Sequence, residues 1–250
     1  MWEIDLTGST ALVTGASRGI GRAIAIALAR AGADVVGVAR SEGPLAELSD
    51  EIGELGRSYL PLTGDLAHGA DIPGLAEDAW SWKGRVDILV NAAGMVIRRD
   101  PPDVSVEDFD LMMAVNVRAP FLMSQEIGWR MRQAGGGSII NIASIAGEEV
   151  TRAPLHYQAG KAALIQMTRG FASRLGPKIR VNAVGPGYIR TTLNAEWLSD
   201  AGNERYVEER TASRRVGTPD DVVGAVVFLA SPAASYINGQ HLRVDGGWGI

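Results

Sequence analysis

The chain contains no cysteine, so disulfides and thiolate metal sites are excluded. It has three histidines, His68, His156 and His241, far apart in the sequence. That scatter argues against a histidine-built metal centre, and no metal is expected. No run of 18 apolar residues occurs, so no membrane-spanning helix is expected. No basic block occurs either. The net charge is −5 with both signs interspersed, which excludes nucleic acid and an anionic membrane surface as expected partners. The opening residues Met1 to Asp5 are acidic and lack the basic and apolar regions of a secretory signal. A reducing, cytoplasmic setting fits these absences. No composition break, internal repeat or low-complexity linker appears, so residues 1–250 are expected to form one domain.

What is present is a regular alternation of short apolar runs and longer helical ones. Thr10–Thr14 reads as a buried parallel strand. Gly15-Ala16-Ser17-Arg18-Gly19-Ile20-Gly21 follows, and then an Ala/Ile/Leu-rich helix from Arg22 to Ala31. In such a strand–loop–helix, Gly15 allows a tight turn, Gly19 lets backbone approach a phosphate, and Gly21 lets the helix pack close. The helix N-terminus offers N–H donors to the anion. The second strand, Asp34–Ala39, carries no acidic residue at its tip, where one would hold a ribose 2′-hydroxyl. Arg40, Ser41 and the loop residue Arg18 stand there instead. Guanidinium groups suit a 2′-phosphate, so NADP(H) is expected in preference to NAD(H).

Further helices are expected at 45–55, 73–82, 104–133, 154–175 and 220–230. Strands are expected at 58–62, 86–90, 138–143, 179–184 and 240–244. This alternation implies an α/β fold, a doubly wound parallel sheet with helices on both faces. Residues 189–216, irregular and charged from Thr191 onward, are a candidate substrate lid. Polar and small residues gather at strand C-termini, where such sheets bind ligands: Asp65-Leu66, Asn91-Ala92-Ala93-Gly94, Ser144 and Pro186-Gly187. Asp65 is placed to meet an adenine amino group or to serve as a turn residue. Asn116 sits inside the long 104–133 helix between two valines.

Tyr157 and Lys161 stand four apart on one helix, one turn from each other on the same face. A phenol ordinarily ionises near pKa ~10. A cation one turn away favours the phenolate, so the pair reads as a tyrosine tuned downward for proton transfer.

Taken together, Thr14-Gly15-x-x-x-Gly19-x-Gly21, Asn91-Ala92-Ala93-Gly94, Asn116, Ser144, Tyr157-x-x-x-Lys161 and Pro186-Gly187 with Thr191 resemble the short-chain dehydrogenase/reductase family over nearly the whole chain. Ala92 replaces an asparagine of the family pattern. The resemblance implies a Rossmann-like, seven-stranded sheet. It implies a catalytic set of Asn116, Ser144, Tyr157 and Lys161: Tyr157 as acid and base, Lys161 beside it and on the nicotinamide ribose, Ser144 on the substrate oxygen, and Asn116 holding a water next to Lys161. It also implies dinucleotide contacts through residues 15, 17–21, 40–41, 65–66, 91–94, 157, 161, 186–187, Ile189 and Thr191, and a homotetramer paired through its long helices.

Two local stretches, 86–100 and 226–248, resemble the gluconate and 2-deoxygluconate dehydrogenases of that family. The expected reaction is hydride transfer between nicotinamide and a secondary alcohol or ketone on a sugar, polyol or sugar acid. Alternatives are a 3-oxoacyl-thioester reductase of an acyl-carrier protein, a general ketone reductase, or a non-catalytic dinucleotide-binding protein. Arg98, Arg99, Arg152 and His156 fall near the expected substrate mouth. An arginine there suits a carboxylate, and an acyl-carrier partner would want the same charges.

Overall fold

A strand buried on both faces must be apolar along its whole length, because no side chain on it reaches water. The first strand, β1 (Thr10–Thr14), is buried at all five positions. Its side chains alternate: Ala11 and Val13 join one core, Leu12 the other. The computed structural model describes residues 4–250. Met1, Trp2 and Glu3, on which part of the reading of the chain's start falls, lie outside the described residues.

Around β1 the chain builds β2 (Asp34–Ala39), β3 (Tyr59–Thr63), β4 (Ile88–Asn91), β5 (Gly137–Ile142), β6 (Ile179–Pro186) and β7 (His241–Val244). Among the described residues they form one seven-stranded sheet in the order β3-β2-β1-β4-β5-β6-β7. Every pairing is parallel. The order reverses beside β1: the chain first runs outward to β3, then returns to β4. That switch point opens a crevice at the strands' carboxyl ends, the place where such sheets take ligands.

Helices cover both faces. Leu45, Leu48 and Ile52 of α2 (Glu42–Glu54) pack in one core with Ile24 and Leu28 of α1 (Gly19–Arg30). On the other face, α3 (Ile72–Lys83) contributes Leu75, Ala76 and Ala79. The helical stretch expected over 104–133 is present but divided. α4 (Val106–Met113) runs into a single π turn, Ala114–Arg118, and then into α5 (Ala119–Ala134). The break coincides with Pro120, which has no N–H to give the carbonyl of Asn116, its acceptor in a regular helix. α6 (Leu155–Leu175) carries the Tyr157–Lys161 pair, and α9 (Pro219–Ala230) covers β5 and β6 from the α1 side.

The expected irregular segment is more ordered than its sequence suggests. It holds α7 (Ala195–Leu198) and α8 (Ala201–Arg210). Asp200 caps α8, its Oδ1 accepting from the amides of Gly202 (2.7 Å) and Asn203 (3.1 Å). Within α8 only Val207 is buried, so no apolar stripe marks it in the sequence.

Two close approaches hold the crevice in shape. Gly15 has φ +71°, and a Cβ on it would lie 2.7 Å from Ala93 Cα. A Cβ on Gly21 would lie 2.2 Å from the Gly15 carbonyl oxygen, which is backbone and has no rotamer to escape into. Gly21→Ala is therefore expected to destabilise the protein by about 1–3 kcal/mol, the usual cost of overpacking. Urea unfolding measures it, and an unchanged midpoint would show that the loop relaxes freely.

Candidate active site

The crevice is a cavity of about 300 Å³ above the carboxyl ends of the sheet. At one end lie the glycine loop and the tip of β2. Gly15, Ser17, Arg18, Gly19, Ile20 and Gly21 line it, as do Arg40, Asp65 and Leu66. α1 opens there with no acidic residue in its first turn and no side-chain cap, so its leading amides remain available to an anion. Arg18 and Arg40 are exposed, and neither forms an ion pair among the described residues. Ser41 stands one residue beyond Arg40 as the N-cap of α2, its hydroxyl making no capping bond. Asp65 accepts the Ala67 amide at 3.0 Å, so it does turn duty while facing the cavity.

The middle of the cavity is walled by Ala92, Ala93 and Gly94. Thr14, singled out in the sequence only by its place in the motif, positions them. Its Oγ1 accepts the Ala92 and Ala93 amides, both at 3.1 Å. Asn91 does not face the cavity. Its side chain turns under the sheet, where Nδ2 donates to Ser124 Oγ (3.0 Å) and Asn141 Oδ1 (2.9 Å). Asn141 donates in turn to Thr168 Oγ1 on α6 (2.9 Å). Asn91 thus fastens β4 to β5 and to the helix behind, and only its neighbours remain for a ligand. The small residues, the open helix terminus and the two unpaired arginines together fit a dinucleotide carrying a 2′-phosphate.

The far end holds Ser144, Tyr157 and Lys161, with Pro186, Gly187, Ile189 and Thr191 opposite. Ser144 follows β5, and its Oγ accepts the Ala146 amide at 3.1 Å, which leaves its proton free to donate. Lys161 is 4% exposed. Its Nζ donates to the Ile142 carbonyl at 2.7 Å, tying α6 to the end of β5. Burial pulls the Lys161 ammonium down to about 8.

The expected tuning of Tyr157 is corrected here. Burial pushes the phenol up to about 12, although the Ser144 hydroxyl and the Arg98 charge act against that shift. Lys161 Nζ lies 5.6 Å from the ring centroid and directs one of its N–H donors to the Ile142 carbonyl. Desolvation outweighs a cation held at that distance, so at neutral pH Tyr157 is a protonated acid.

Asn116 is 1% exposed and sits in the π turn. Both ends of its amide are taken by one residue. Oδ1 accepts from Met95 N (3.1 Å) and Nδ2 donates to Met95 O (2.9 Å). The side chain therefore pins the loop after Gly94, and its amide still has a donor and an acceptor position beyond these two bonds. Arg98 lines the cavity. Arg99 does not; it pairs with Asp108 at 2.8 Å. Arg152 turns to α8, with Cζ 3.8 Å from the Tyr206 centroid and Nη1 donating to Asn203 at 3.1 Å. His156 is 5% exposed and lies outside the cavity, because its place one residue before Tyr157 on α6 puts it on another face. Sequence reasoning missed Tyr188, which lines the cavity and begins an aromatic cluster with Trp197, Tyr206 and Trp248. Its place directly after Pro186-Gly187 is the signal that would have found it.

A buried ammonium leaves a signature in stability. The folded pKa of Lys161 lies near 8, below the ~10.4 of a free lysine. Between those values the unfolded chain binds more protons, so the penalty is full below about pH 8 and fades as pH rises toward ~10.4. From pH 7 to 10 the parent is expected to gain on Lys161→Met by up to roughly 3 kcal/mol in urea unfolding. A difference that stays flat with pH would mean the ammonium is not held at a depressed pKa.

Comparison with known proteins extends over the whole described chain. A family model described as Enoyl-(Acyl carrier protein) reductase matches residues 15–249. The chain is 38% identical to the 2-dehydro-3-deoxy-D-gluconate 5-dehydrogenase of Escherichia coli (strain K12) over 246 residues, 98% of this chain and 96% of that protein. It is 38% identical to the L-rhamnose 1-dehydrogenase (NAD(P)(+)) of Sphingomonas sp. (strain SKA58), with 97% and 96% covered. A crystal structure of a gluconate 5-dehydrogenase from Burkholderia cenocepacia J2315, in complex with NADP and tartrate, matches with a TM-score of 0.92 at 35% identity, covering 98% of this chain and 96% of that one. Likeness of this extent, on a crevice so furnished, answers for the whole chain: it belongs to the short-chain dehydrogenase/reductase family, enzymes that move a hydride between a nicotinamide dinucleotide and a CH–OH carbon.

Proposed function

We propose that this enzyme oxidises a secondary alcohol, or reduces the matching ketone, on a sugar, polyol or sugar acid, with NADP(H) preferred to NAD(H). The observation that carries the reading is one cavity with Ser144, Tyr157 and Lys161 at one end and the unpaired Arg18 and Arg40 at the other. The relatives named above, one acting on a keto sugar acid, one on rhamnose and one solved with NADP, support it. The thioester alternative needs a basic rim for an acidic carrier protein. Arg99 is spent on Asp108 and Arg152 on α8, which leaves Arg98 alone at the mouth.

A bound nicotinamide dinucleotide supplies or accepts the hydride. The side chains manage the proton and the oxygen. In reduction, the protonated Tyr157 phenol gives its proton to the substrate oxygen, and in oxidation it takes one back. Ser144 donates its hydroxyl proton to the same oxygen as negative charge grows there. Lys161, charged below about pH 8, favours the phenolate that forms as the proton leaves. Asn116 acts through Met95, holding the wall beside Gly94 in place.

The proposal extends to the whole molecule. The chain acts as one domain, and residues 189–216 cover the substrate end as a lid. Ile189 and Thr191 on the cavity wall, with α7 and α8 directly after them, support that role. A cytoplasmic homotetramer is the proposed working form. Phe121 and Trp129, 43% and 45% exposed on α5, border a groove with Met167 and Phe171 of α6, an apolar face that suits helix-to-helix pairing between copies.

An absorbance assay offering NADP and NAD separately against polyols, sugar acids and simple secondary alcohols tests the reading. Tyr157→Phe is expected to bind NADP like the parent and to lose turnover by about 10²-fold or more. Turnover at the parent's rate would remove Tyr157 from proton transfer. Arg40→Ala is expected to raise KM for NADP by about tenfold or more while leaving KM for NAD unchanged. Equal effects on both cofactors would remove the 2′-phosphate assignment.

A further inference from the structure

Tyr188 carries a buried hydroxyl that forms no hydrogen bond among the described residues. The Thr151 side chain and the Arg152 backbone approach it without reaching bonding geometry. A buried hydroxyl left without a partner is costly, and it needs a reason. Burial also pushes the phenol's pKa upward, so it remains a donor.

The ring is fixed from three sides. Trp197 of α7 stacks on it at 5.2 Å between centroids and 21° between planes. Tyr206 of α8 meets it edge-on at 6.3 Å and 86°. Trp248, 6% exposed and near the C-terminus, lies 5.0 Å away. A phenol held this way cannot swing to seek another partner.

Arg98 shares this setting. It lines the same cavity, and its guanidinium lies 5.4 Å from the Trp197 centroid. It forms neither an ion pair nor a hydrogen bond among the described residues. Its charge acts on both Tyr157 and Tyr188, so the three groups converge. Glu196 acts on Arg98 from α7 but makes no ion pair with it. A guanidinium offers donors only, and a protonated phenol beside it has a proton to give, so a negatively charged acceptor is the group that satisfies both together.

We propose that Tyr188 is a specificity-determining residue, which with Arg98 holds a carboxylate of the substrate beside the carbon that reacts over Tyr157. The cleft then selects hydroxy and keto acids over neutral polyols of the same length. This rests on the oxidoreductase reading above and narrows its substrate class. Trp197 gives the subsite its link to the lid, since α7 supplies the surface on which both donors rest.

Tartrate and threitol have the same four-carbon chain, one ending in carboxylates and the other in hydroxymethyl groups, and they serve as probes. The full-length protein is saturated with NADP, and each probe is titrated calorimetrically. The parent is expected to bind tartrate about tenfold or more tightly than threitol. Tyr188→Phe keeps the ring and its packing, and is expected to weaken tartrate by about tenfold while leaving threitol and NADP unchanged. Arg98→Gln is expected to weaken tartrate more strongly, again without touching NADP. Tartrate bound by Tyr188→Phe as by the parent overturns the assignment, as does an equal loss for both probes. Normal NADP binding with no tartrate preference in the parent overturns this subsite and leaves the oxidoreductase reading standing. Failure to bind NADP at all would count against that earlier reading instead.

Discussion

A parallel sheet covered on both faces has nowhere along its strands to keep a polar group in contact with water. That constraint governs the rest of this molecule. The strands are mostly apolar, and groups able to reach a ligand collect where the strands end. Because all seven run in one direction, those ends share one edge. The turn after β1, the tip of β2, the loop after β4, Ser144 after β5 and Pro186 at the end of β6 become neighbours although they span 170 residues of chain.

Some of the polar groups that do lie inside are joined to one another. Asn91, Ser124, Asn141 and Thr168 form a continuous chain of hydrogen bonds between two strands and two helices. Lys161 is the most demanding of them, a cation beneath the cavity floor that donates a hydrogen bond to the Ile142 carbonyl. Its burial and that of Tyr157 act in opposite senses. One favours a neutral amine, the other a neutral phenol, and the two pKa values move apart. The packing thus sets a protonated phenol beside a cation close to its own titration, a different arrangement from a tyrosine ionised in advance.

The end of the crevice around Tyr188 is built on aromatic packing and not on the sheet. Tyr188, Trp197, Tyr206 and Trp248 come from the loop after β6, from α7, from α8 and from the C-terminal segment. The last of these is tied down by backbone. The amides of Ala212 and Ser213 donate to Gly247 and Gly246, and that of Gly249 donates to Arg210. Gly246 and Gly247, at φ +66° and +74°, make the turn that brings Trp248 in. The C-terminal residues and the segment 189–216 therefore share one small core, which also sets where Tyr188 points.

The alternation of apolar strands and helices was enough to specify the fold, because a both-sides-buried strand leaves a continuous apolar run that no surface element imitates. The glycine loop and the Tyr157–Lys161 spacing were legible for a similar reason, since both are local: turn and helix geometry place those residues without help from distant chain. α8 was not legible, its stability coming from a cap and a few aromatic contacts and not from an apolar stripe. Nor was the fate of the arginines. Arg98, Arg99 and Arg152 look alike as sequence, and only the folded chain sends one to the cavity, one to Asp108 and one to Tyr206. The same holds for Asn91 and Asn116, whose amides were claimed by neighbours far along the chain. By itself the sequence determined the sheet, the glycine loop and the placing of Tyr157 and Lys161 on one helix face, because backbone periodicity and local spacing carry them. The tertiary structure alone decided the protonation of Tyr157, the partners of each polar side chain and the setting of Tyr188, because burial and long-range contact are properties of the packed chain.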